Sequence, residues 1–400
     1  MIKKSSRVKL FTVLILLLSG CGNNVTLIHS ELQVSPTTSL NAEAIRSKSQ
    51  INQPVGNIVI NFWPMSAKDI IVQTDSGLWI ADTNAGTWAR LSVPSGFDIS
   101  TLADIATLGQ NIWIISGPTQ SSNNSWDLPV IYTQDGGKSW FLSSLLPSTT
   151  KWIGDPIPYV NAHFINSLVG WVSIRKATAS NFSTGEIFKT VDGGKTWQMN
   201  DMPSGEDFTF MDENNGWTVN TPEQKIYNTA DGGLTWSESK IPISKPVDSR
   251  VSYNIPIFIN GDIFVVANIS GVNDNYAEIY LSHDSGLTWD KRTTIKIPFE
   301  TNISASIFTN TRWLMFFGNN TVIESLDKGN SWVEQKTNIS NPDIVQVKYS
   351  EQNIWGRVDS QICVRPTKDC TQKSEIYESI DSGYNWTPII SYVTTSENAK

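Results

Sequence analysis

The sequence predicts an all-β fold, a seven-bladed β-propeller whose blades are four-stranded antiparallel sheets. The first observation is an octapeptide of the form Ser/Thr-x-Asp-x-Gly-x-x-Trp, which occurs six times at intervals of about 40 to 60 residues. The second is a short apolar strand pattern before each copy, and the third is the absence of runs with helical periodicity. Repeated units of this length bury their apolar faces against one another.

The octapeptides set the number of blades. The six copies cover residues 133–140, 190–197, 229–236, 282–289, 325–332 and 379–386. A seventh, decayed copy covers 81–88, where Ala81, Thr83 and Ala85 replace the Ser/Thr, Asp and Gly. A terminal unit of a repeat array is expected to be atypical. We therefore predict seven blades over residues 55–393.

Strand signals place the octapeptide within each blade. Every intact copy follows a β-branched residue and a large apolar one, which is typical of a strand that runs into a tight turn. The most compact unit, 207–239, shows four strand patterns joined by three tight turns, and the octapeptide is the third turn. A second-strand pattern recurs in every unit, at 69–74, 111–116, 170–174, 216–220, 262–267, 312–317 and 353–358.

Each residue type of the octapeptide suits a tight turn. Asp and Ser/Thr accept hydrogen bonds from turn amides, Gly adopts positive φ, and Trp opens the outer strand and buries its ring. The alternative is a catalytic or calcium-binding role, but successive copies lie on different blades and no acids cluster at calcium-ligand spacing. We expect no cofactor and no metal, and structural roles for Asp135, Trp140, Asp192, Trp197, Asp231, Trp236, Asp284, Trp289, Asp327, Trp332, Asp381 and Trp386.

The octapeptide resembles the Asp-box, or BNR, repeat of sialidases and related propellers. The longer phrase at 170–197, Gly-Trp-Val followed by Ile-Phe-x-Thr-x-Asp-Gly-Gly-x-Thr-Trp, is most similar to the photosystem II assembly and stability factor family. That family also has members in bacteria without a photosynthetic role. The resemblance covers nearly all of 55–393 and implies the propeller fold and an assembly-factor-like role, while the Asp-box itself is shared by many functions.

The N-terminus predicts export and a lipid anchor. Four basic residues precede the apolar run Leu10–Leu18, which is too short to remain as a membrane span. The following Ser19-Gly20-Cys21 resembles a bacterial lipobox, in which Cys21 is lipidated and becomes the first residue. The alternative is an ordinary signal peptide with an unrelated Cys. We expect attachment to the outer leaflet of the cytoplasmic membrane, or to the outer membrane.

The remaining segments complete the predicted domain organisation. Residues 1–20 are the lipoprotein signal peptide, 21–54 the anchor Cys and a flexible tether, 55–393 the propeller and 394–400 a polar tail. An alternative for Val25–Val34 is an added strand. Cys363 and Cys370 are predicted to form a disulfide, with two free thiols as the alternative.

The charge excludes some classes of partner. Removal of residues 1–20 takes away four of the 30 basic residues and no acidic ones, and leaves a net charge of about −12. This balance argues against binding to nucleic acid and against docking on anionic lipid.

The topology predicts which face of the propeller binds. If the octapeptides are third turns, the second turns and the connections between blades share the opposite face, where long inserts occur at 117–129, 175–185, 269–277, 359–374, 143–159, 240–254 and 291–303. Irregular loops on a rigid scaffold commonly carry binding sites. The candidate binding residues on this face are Trp126, Asp127, Trp152, Asp155, Tyr159, Arg175, Lys176, Arg250, Tyr253, Tyr276 and Arg365. The alternative is that Trp126 and Trp152 only hold their loops in place.

The expected function is therefore binding without catalysis. A sialidase needs three arginines around a carboxylate, and its first one lies in a Phe-Arg-Ile-Pro segment that this sequence lacks. No zinc, P-loop or serine-nucleophile motif is present. We expect a monomeric, membrane-anchored propeller that binds a protein or glycan partner at the cell surface. The alternative is a glycan-active enzyme of the sialidase or glycoside hydrolase type.

Overall fold

The structure, a computed structural model, describes the propeller region of the chain. The described residues are 53–120, 126–148, 159–176, 184–243, 248–271, 274–297, 303–317, 321–336, 338, 344–350, 353–363, 370–381 and 383–395. All of them belong to one compact unit, Lys48–Lys400. The predicted signal peptide, the lipidation site Cys21 and the tether up to residue 52 lie outside the described residues.

The fold is a seven-bladed β-propeller of four-stranded antiparallel blades, as predicted. Blade 1 contains β1 (Val59–Pro64), β2 (Asp69–Thr74), β3 (Gly77–Asp82) and β4 (Thr87–Arg90). Blade 2 contains β5 (Leu102–Leu108), β6 (Asn111–Ser116), β9 (Val130–Thr133) and β10 (Phe141–Leu142). Blade 3 contains β12 (Val160–Phe164), β13 (Gly170–Arg175), β14 (Gly185–Thr190) and β15 (Gln198–Met202). A short three-stranded sheet beside blade 2 contains β7 (Thr119–Gln120), β8 (Trp126–Leu128) and β11 (Leu146–Ser148).

Blades 4 to 7 follow the same order. Their strands are β16 (Phe208–Phe210), β17 (Gly216–Asn220), β18 (Lys225–Thr229) and β19 (Ser237–Glu238); β20 (Arg250–Tyr253), β21 (Ile257–Ile259), β22 (Asp262–Ser270), β23 (Asn275–Ser282) and β24 (Asp290–Ile297); β25 (Ile303–Phe308), β26 (Trp313–Phe317), β27 (Thr321–Ser325) and β28 (Val333–Lys336); and β29 (Ile344–Ser350), β30 (Asn353–Cys363), β31 (Cys370–Ser379) and β32 (Thr387–Thr395). The helix described is a single 3-10 turn, Ile99–Thr101. None of the described helical structure is long and apolar enough to span a membrane.

The blades form a closed ring with their first strands innermost. The first strands of neighbouring blades contact one another along most of the ring, and β29 of blade 7 contacts β1 of blade 1. Each blade is one continuous stretch of chain, so no strand is exchanged at the junction of blades 7 and 1. Side chains close this junction instead. Thr83 Oγ1 donates to Glu378 at 2.6 Å, and Lys348 Nζ donates to the Phe62 carbonyl at 2.7 Å.

The core lies between the blades. The second strand of five blades carries a fully buried Trp, at positions 113, 171, 217, 313 and 355. Most of the octapeptide Trp rings are only half-buried, and they pack against the preceding blade. Trp197 is an example, since it meets Phe164 edge-on at 6.1 Å while Phe164 stacks on Trp113 of blade 2 at 3.6 Å. The octapeptide therefore also joins blades.

Several predicted inserts are longer strands. The segments 269–277 and 359–374 lie at the ends of paired strands, since Ser270 is the register partner of Asn275 and Cys363 that of Cys370. The prediction of loops there was wrong for the described positions, because alternating polar residues continue the antiparallel ladder. The insert 117–129 similarly contributes β7 and β8. The last strand reaches Thr395, two residues into the segment expected to be a polar tail.

Candidate functional site

The octapeptide carboxylates are engaged by their own turns. In blade 3, Thr190 Oγ1 donates to Asp192 Oδ1 at 2.8 Å, and the Gly194 amide donates to Thr190 Oγ1 at 2.9 Å. The Thr196 amide and hydroxyl donate to the two oxygens of Asp192 at 2.9 and 2.6 Å. The same network surrounds Asp135, Asp231, Asp284, Asp327 and Asp381.

These hydrogen bonds favour the charged carboxylate. Those from Ser139 hold the pKa of Asp135 well below its usual range, and those from Thr288 lower the pKa of Asp284 to about 2. The Ser331 amide does the same for Asp327, whose pKa is about 2. Such groups stay ionised at neutral pH and cannot serve as general acids. Within the described part of the chain, no three His, Cys, Asp or Glu residues group so as to hold a metal ion.

A cavity of about 640 Å³ opens at the other end of the blades. Its walls come from the first strands of blades 3 to 7 and from the ends of the second strands of blades 3 and 4. The cavity lies on the face opposite to the octapeptides. The lining residues are Tyr159, Arg175, Glu206, Asp207, Val219, Thr221, Tyr253, Asn254, Ile255, Ile257, Ile303, Ala305, Ser306 and Val347. The volume is in the range of small-ligand sites.

One wall of the cavity is polar. The Tyr159 hydroxyl donates to Asp207 Oδ1 at 2.7 Å, and the Arg175 guanidinium lies 5.0 Å from the Tyr159 ring centre. Arg175 Nη2 lies 3.9 Å from Glu206 Oε1, while the Thr221 amide and hydroxyl donate to Glu206 Oε2. Burial and the charge of Asp207 raise the pKa of Tyr159, so its phenol stays protonated.

The other wall is mainly aliphatic and depends on a break in blade 5. Its first strand is interrupted between β20 and β21, both of which pair with β22. The break contains Pro256, which has no amide hydrogen for the ladder. Tyr253 at the end of β20 and Ile255 in the break line the cavity, and burial raises the pKa of Tyr253 to about 12.

Of the candidate binding residues, the cavity brings Tyr159, Arg175 and Tyr253 together. The other described candidates lie outside the lining. Arg250 is exposed at the start of β20, Tyr276 packs half-buried between blades 4 and 5, and Lys176 pairs with Asp201 at 2.6 Å.

The remaining candidates divide between the small sheet and the part of the chain that is not described. Trp126 and Asp127 belong to β8 of the small sheet. Trp152, Asp155 and Arg365 lie outside the described residues, so no position is assigned to them.

Sequence reasoning missed five polar residues of the described lining, Glu206, Asp207, Thr221, Asn254 and Ser306. Glu206 and Asp207 precede the first strand of the most compact blade, whereas the prediction relied on long inserts. The available signal was their position immediately before a first strand, because every first strand begins at this face.

Two further pairs of residues lie apart from the cavity lining. Lys348 and Asp104 lie near the ring junction, and Cys363 and Cys370 lie at the tip of blade 7. Burial lowers the pKa of Lys348 to about 8, and burial raises the pKa of Asp104, which accepts hydrogen bonds from Trp63 Nε1 and the Ala162 amide at 3.0 and 2.8 Å.

Cys363 and Cys370 are direct register partners in β30 and β31. Opposed residues in an antiparallel pair have Cα atoms about 4.5–5.5 Å apart, which suits a disulfide. The disulfide stays a prediction.

Comparisons with known proteins find similar folds among the solved structures. No family model matches the chain, and no curated protein matches it. The fold is similar to a structure of YCF48 bound to D1 peptide, with a TM-score of 0.52 and 15% identity over 76% of this chain and 89% of that one. The fold is also similar to that of YCF48 from Cyanidioschyzon merolae. The TM-score is 0.50 and the sequence identity is 13%, over 77% of this chain and 94% of that one.

A GH74 xyloglucanase from Xanthomonas campestris is more distant. Its TM-score is 0.37 and its identity 12%, over 83% of this chain and 45% of that one. At such identities the likeness is one of fold: this chain is a seven-bladed propeller similar in architecture to YCF48.

Proposed function

We propose that this protein is a non-enzymatic binding propeller that holds a segment of a protein partner in the cavity described above. The observation that carries the proposal is the composition of this cavity, where ionic groups and neutral phenols face a wall of Ile and Val side chains. Protein segments present both kinds of chemistry at short spacing. The likeness to the structure of YCF48 bound to D1 peptide supports the same kind of ligand.

The geometry supports binding over glycan cleavage. Among the described residues, the lining contains one Arg, Arg175, whereas the sialidase reaction requires three around the substrate carboxylate. The phenol of Tyr159 is held in its neutral form, which is a poor nucleophile. Both cavity carboxylates already accept hydrogen bonds, from Tyr159 and from Thr221.

The proposal includes export and a lipid anchor at Cys21. It is supported by the charged start, the apolar run and the small residues before Cys21. Metabolic labelling with a palmitate analogue tests it. We expect labelled wild-type protein in the membrane fraction and no label on Cys21→Ser. Equal labelling of the two proteins would contradict the anchor.

Site-specific photo-cross-linking tests the binding function. A photoreactive amino acid replaces Tyr253 in the full-length protein, and the control replaces Leu287, which is 80% exposed in the octapeptide of the same blade. We expect a defined partner adduct from position 253 and none from 287 after irradiation of the producing cells. Adducts from both positions, or from 287 alone, would overturn the assignment of the face. Turnover of wall glycans by the wild type, lost in Asp207→Asn, would instead support the enzyme alternative.

A further inference from the structure

The carboxylate of Asp207 has one hydrogen-bond donor among the described residues of the cavity. Its Oδ1 accepts from Tyr159, and no described residue donates to its Oδ2. Asp207 is exposed at the cavity wall, and among the described residues no Lys or Arg forms an ion pair with it. The Arg175 side chain faces Glu206 instead. Asp207 therefore presents to the cavity a carboxylate oxygen that has no donor among the described residues, while the buried Lys348 acts on its charge without forming an ion pair.

The surroundings of Asp207 suit an organic cation. Two neutral phenols, Tyr159 and Tyr253, lie in the same cavity, and aromatic faces attract cations. The aliphatic wall contains Ile255, Ile257, Ile303, Val219 and Val347. A Lys or Arg side chain has a charged end and an apolar stem, and it can place the stem along such a wall.

We propose that the cavity is a subsite for a basic side chain, and that the partner segment carries Lys or Arg next to aliphatic residues. This inference rests on the proposed function and names the chemistry of its partner. The balance of one Arg against two carboxylates among the described lining residues supports it, as does the net charge of −8 of the chain, which favours encounters with basic partners. An acidic segment would place a second negative charge beside Asp207, which is destabilising.

Peptide selection with a charge swap tests the inference. A library of short random peptides is selected against the immobilised full-length protein, and affinities are measured for the enriched sequences. We expect enrichment of Lys or Arg beside Ile, Leu or Val. Asp207→Asn is expected to weaken these peptides by about tenfold or more, corresponding to about 1.4 kcal/mol. Asp207→Lys should restore binding to peptides in which the basic residue is replaced by Glu.

The control variant is Asp201→Asn, which makes the same change of charge. Its side chain is 86% exposed on the outer strand of blade 3 and is not part of the lining. We expect wild-type affinity from it, and thermal unfolding of each variant verifies that it is folded.

The outcomes separate the two proposals. One outcome is that the enriched peptides bind at the cavity without a basic residue and bind Asp207→Asn as well as the wild type. This outcome would overturn the inference and leave the proposed function standing. Enriched peptides whose binding is unchanged when Ile257→Trp fills the cavity would overturn both. Binding of spermidine or glucosamine with the same dependence on Asp207, without enrichment of any peptide, would show that the cation is not a protein side chain.

Discussion

Trp171 and Trp217 occupy equivalent positions in the second strands of blades 3 and 4, and both are fully buried. The indole N–H of Trp171 donates to the Gly232 carbonyl in the octapeptide of the next blade at 3.0 Å. That of Trp217 has no partner among the described residues. The same side chain therefore contributes packing at both sites and an inter-blade hydrogen bond at only one.

Trp171→Phe is expected to lower the free energy of unfolding by about 1 kcal/mol more than Trp217→Phe does. Both variants lose similar apolar area, but only the first loses a hydrogen bond and leaves the Gly232 carbonyl unpaired. Urea unfolding of the two variants measures this difference. Equal losses would contradict a role for the indole bond.

Among the described octapeptide residues, backbone strain is found at Ser285 and Lys328. Ser285 and Lys328 have φ of 58° and 57°, where the equivalent residues in blades 2 to 4 are glycines. A side chain costs about 1–2 kcal/mol in this left-handed region. Part of this cost is offset, because a side chain also restricts the unfolded chain.

Lys328→Gly is therefore expected to raise the free energy of unfolding by about 0.5–1 kcal/mol. Lys328→Ala is the matched control, because it removes the long side chain but keeps the Cβ, and it should give no such gain. Urea or thermal unfolding compares the three proteins. A gain of the same size in both variants would assign the effect to the Lys side chain instead of the backbone.

At the scale of the element, the octapeptide turn is a small hydrogen-bonded unit around one carboxylate. Asp284 accepts from the Thr288 amide at 2.9 Å and from the Thr288 hydroxyl at 2.6 Å. Because these donors stabilise the ionised form, the pKa of Asp284 is lower in the folded protein than in the unfolded chain. Asp284 therefore stabilises the fold fully when the pH is above the pKa that it has in the unfolded chain. This stabilisation is lost as the pH falls through the pKa that Asp284 has in the folded protein.

Acid should therefore weaken the fold through these turns. The free energy of unfolding is expected to fall as the pH is lowered from about 4 to about 2. Asp284→Asn should be less stable than the wild type at neutral pH, and the difference should shrink as the pH approaches about 2. Denaturant unfolding at a series of pH values measures it. A difference that does not change with pH would contradict the role of the carboxylate charge.

At the scale of the whole molecule, the ring is closed by side chains. Blade 7 and blade 1 meet through Thr83, Glu378 and Asn353, with the Glu378 carboxylate 3.2 Å from Asn353 Nδ2 and 2.6 Å from Thr83 Oγ1. The Arg357 guanidinium also donates to the Ile60 carbonyl across this junction. Since no strand is shared, the buried polar contacts and the apolar cluster around Trp355 hold the ends of the array together.

Thr83→Val is expected to lower the free energy of unfolding by about 1–3 kcal/mol, because it removes a donor from the buried Glu378 carboxylate. The matched control is Thr87→Val, at an exposed position of the same hairpin, and it should change stability by less than about 0.5 kcal/mol. Urea unfolding measures both. Similar effects of the two substitutions would mean that the junction does not depend on this bond.

The fold could be predicted because its signals are local. The residues that build each turn, such as Thr190, Asp192 and Thr196, lie within eight positions and bond to one another, so their spacing is visible in the chain. The buried second-strand Trp residues were part of the recognised strand patterns, although their central place in the core was not predicted. Strand lengths in blades 5 and 7 were underestimated, because polar residues that continue a ladder look like a loop.

The sequence by itself determined the seven blades, the order of their strands and the face that carries the octapeptides, since each depends on contacts within one repeat. The tertiary structure alone decided which side chains meet in the cavity. Tyr159 and Asp207 are 48 residues apart and belong to different blades, and Tyr253 is contributed by a third. Their proximity depends on how the blades are arranged in the ring and on the break at Pro256. A cavity lined by five blades collects residues from different repeats, so no spacing within one repeat predicts it.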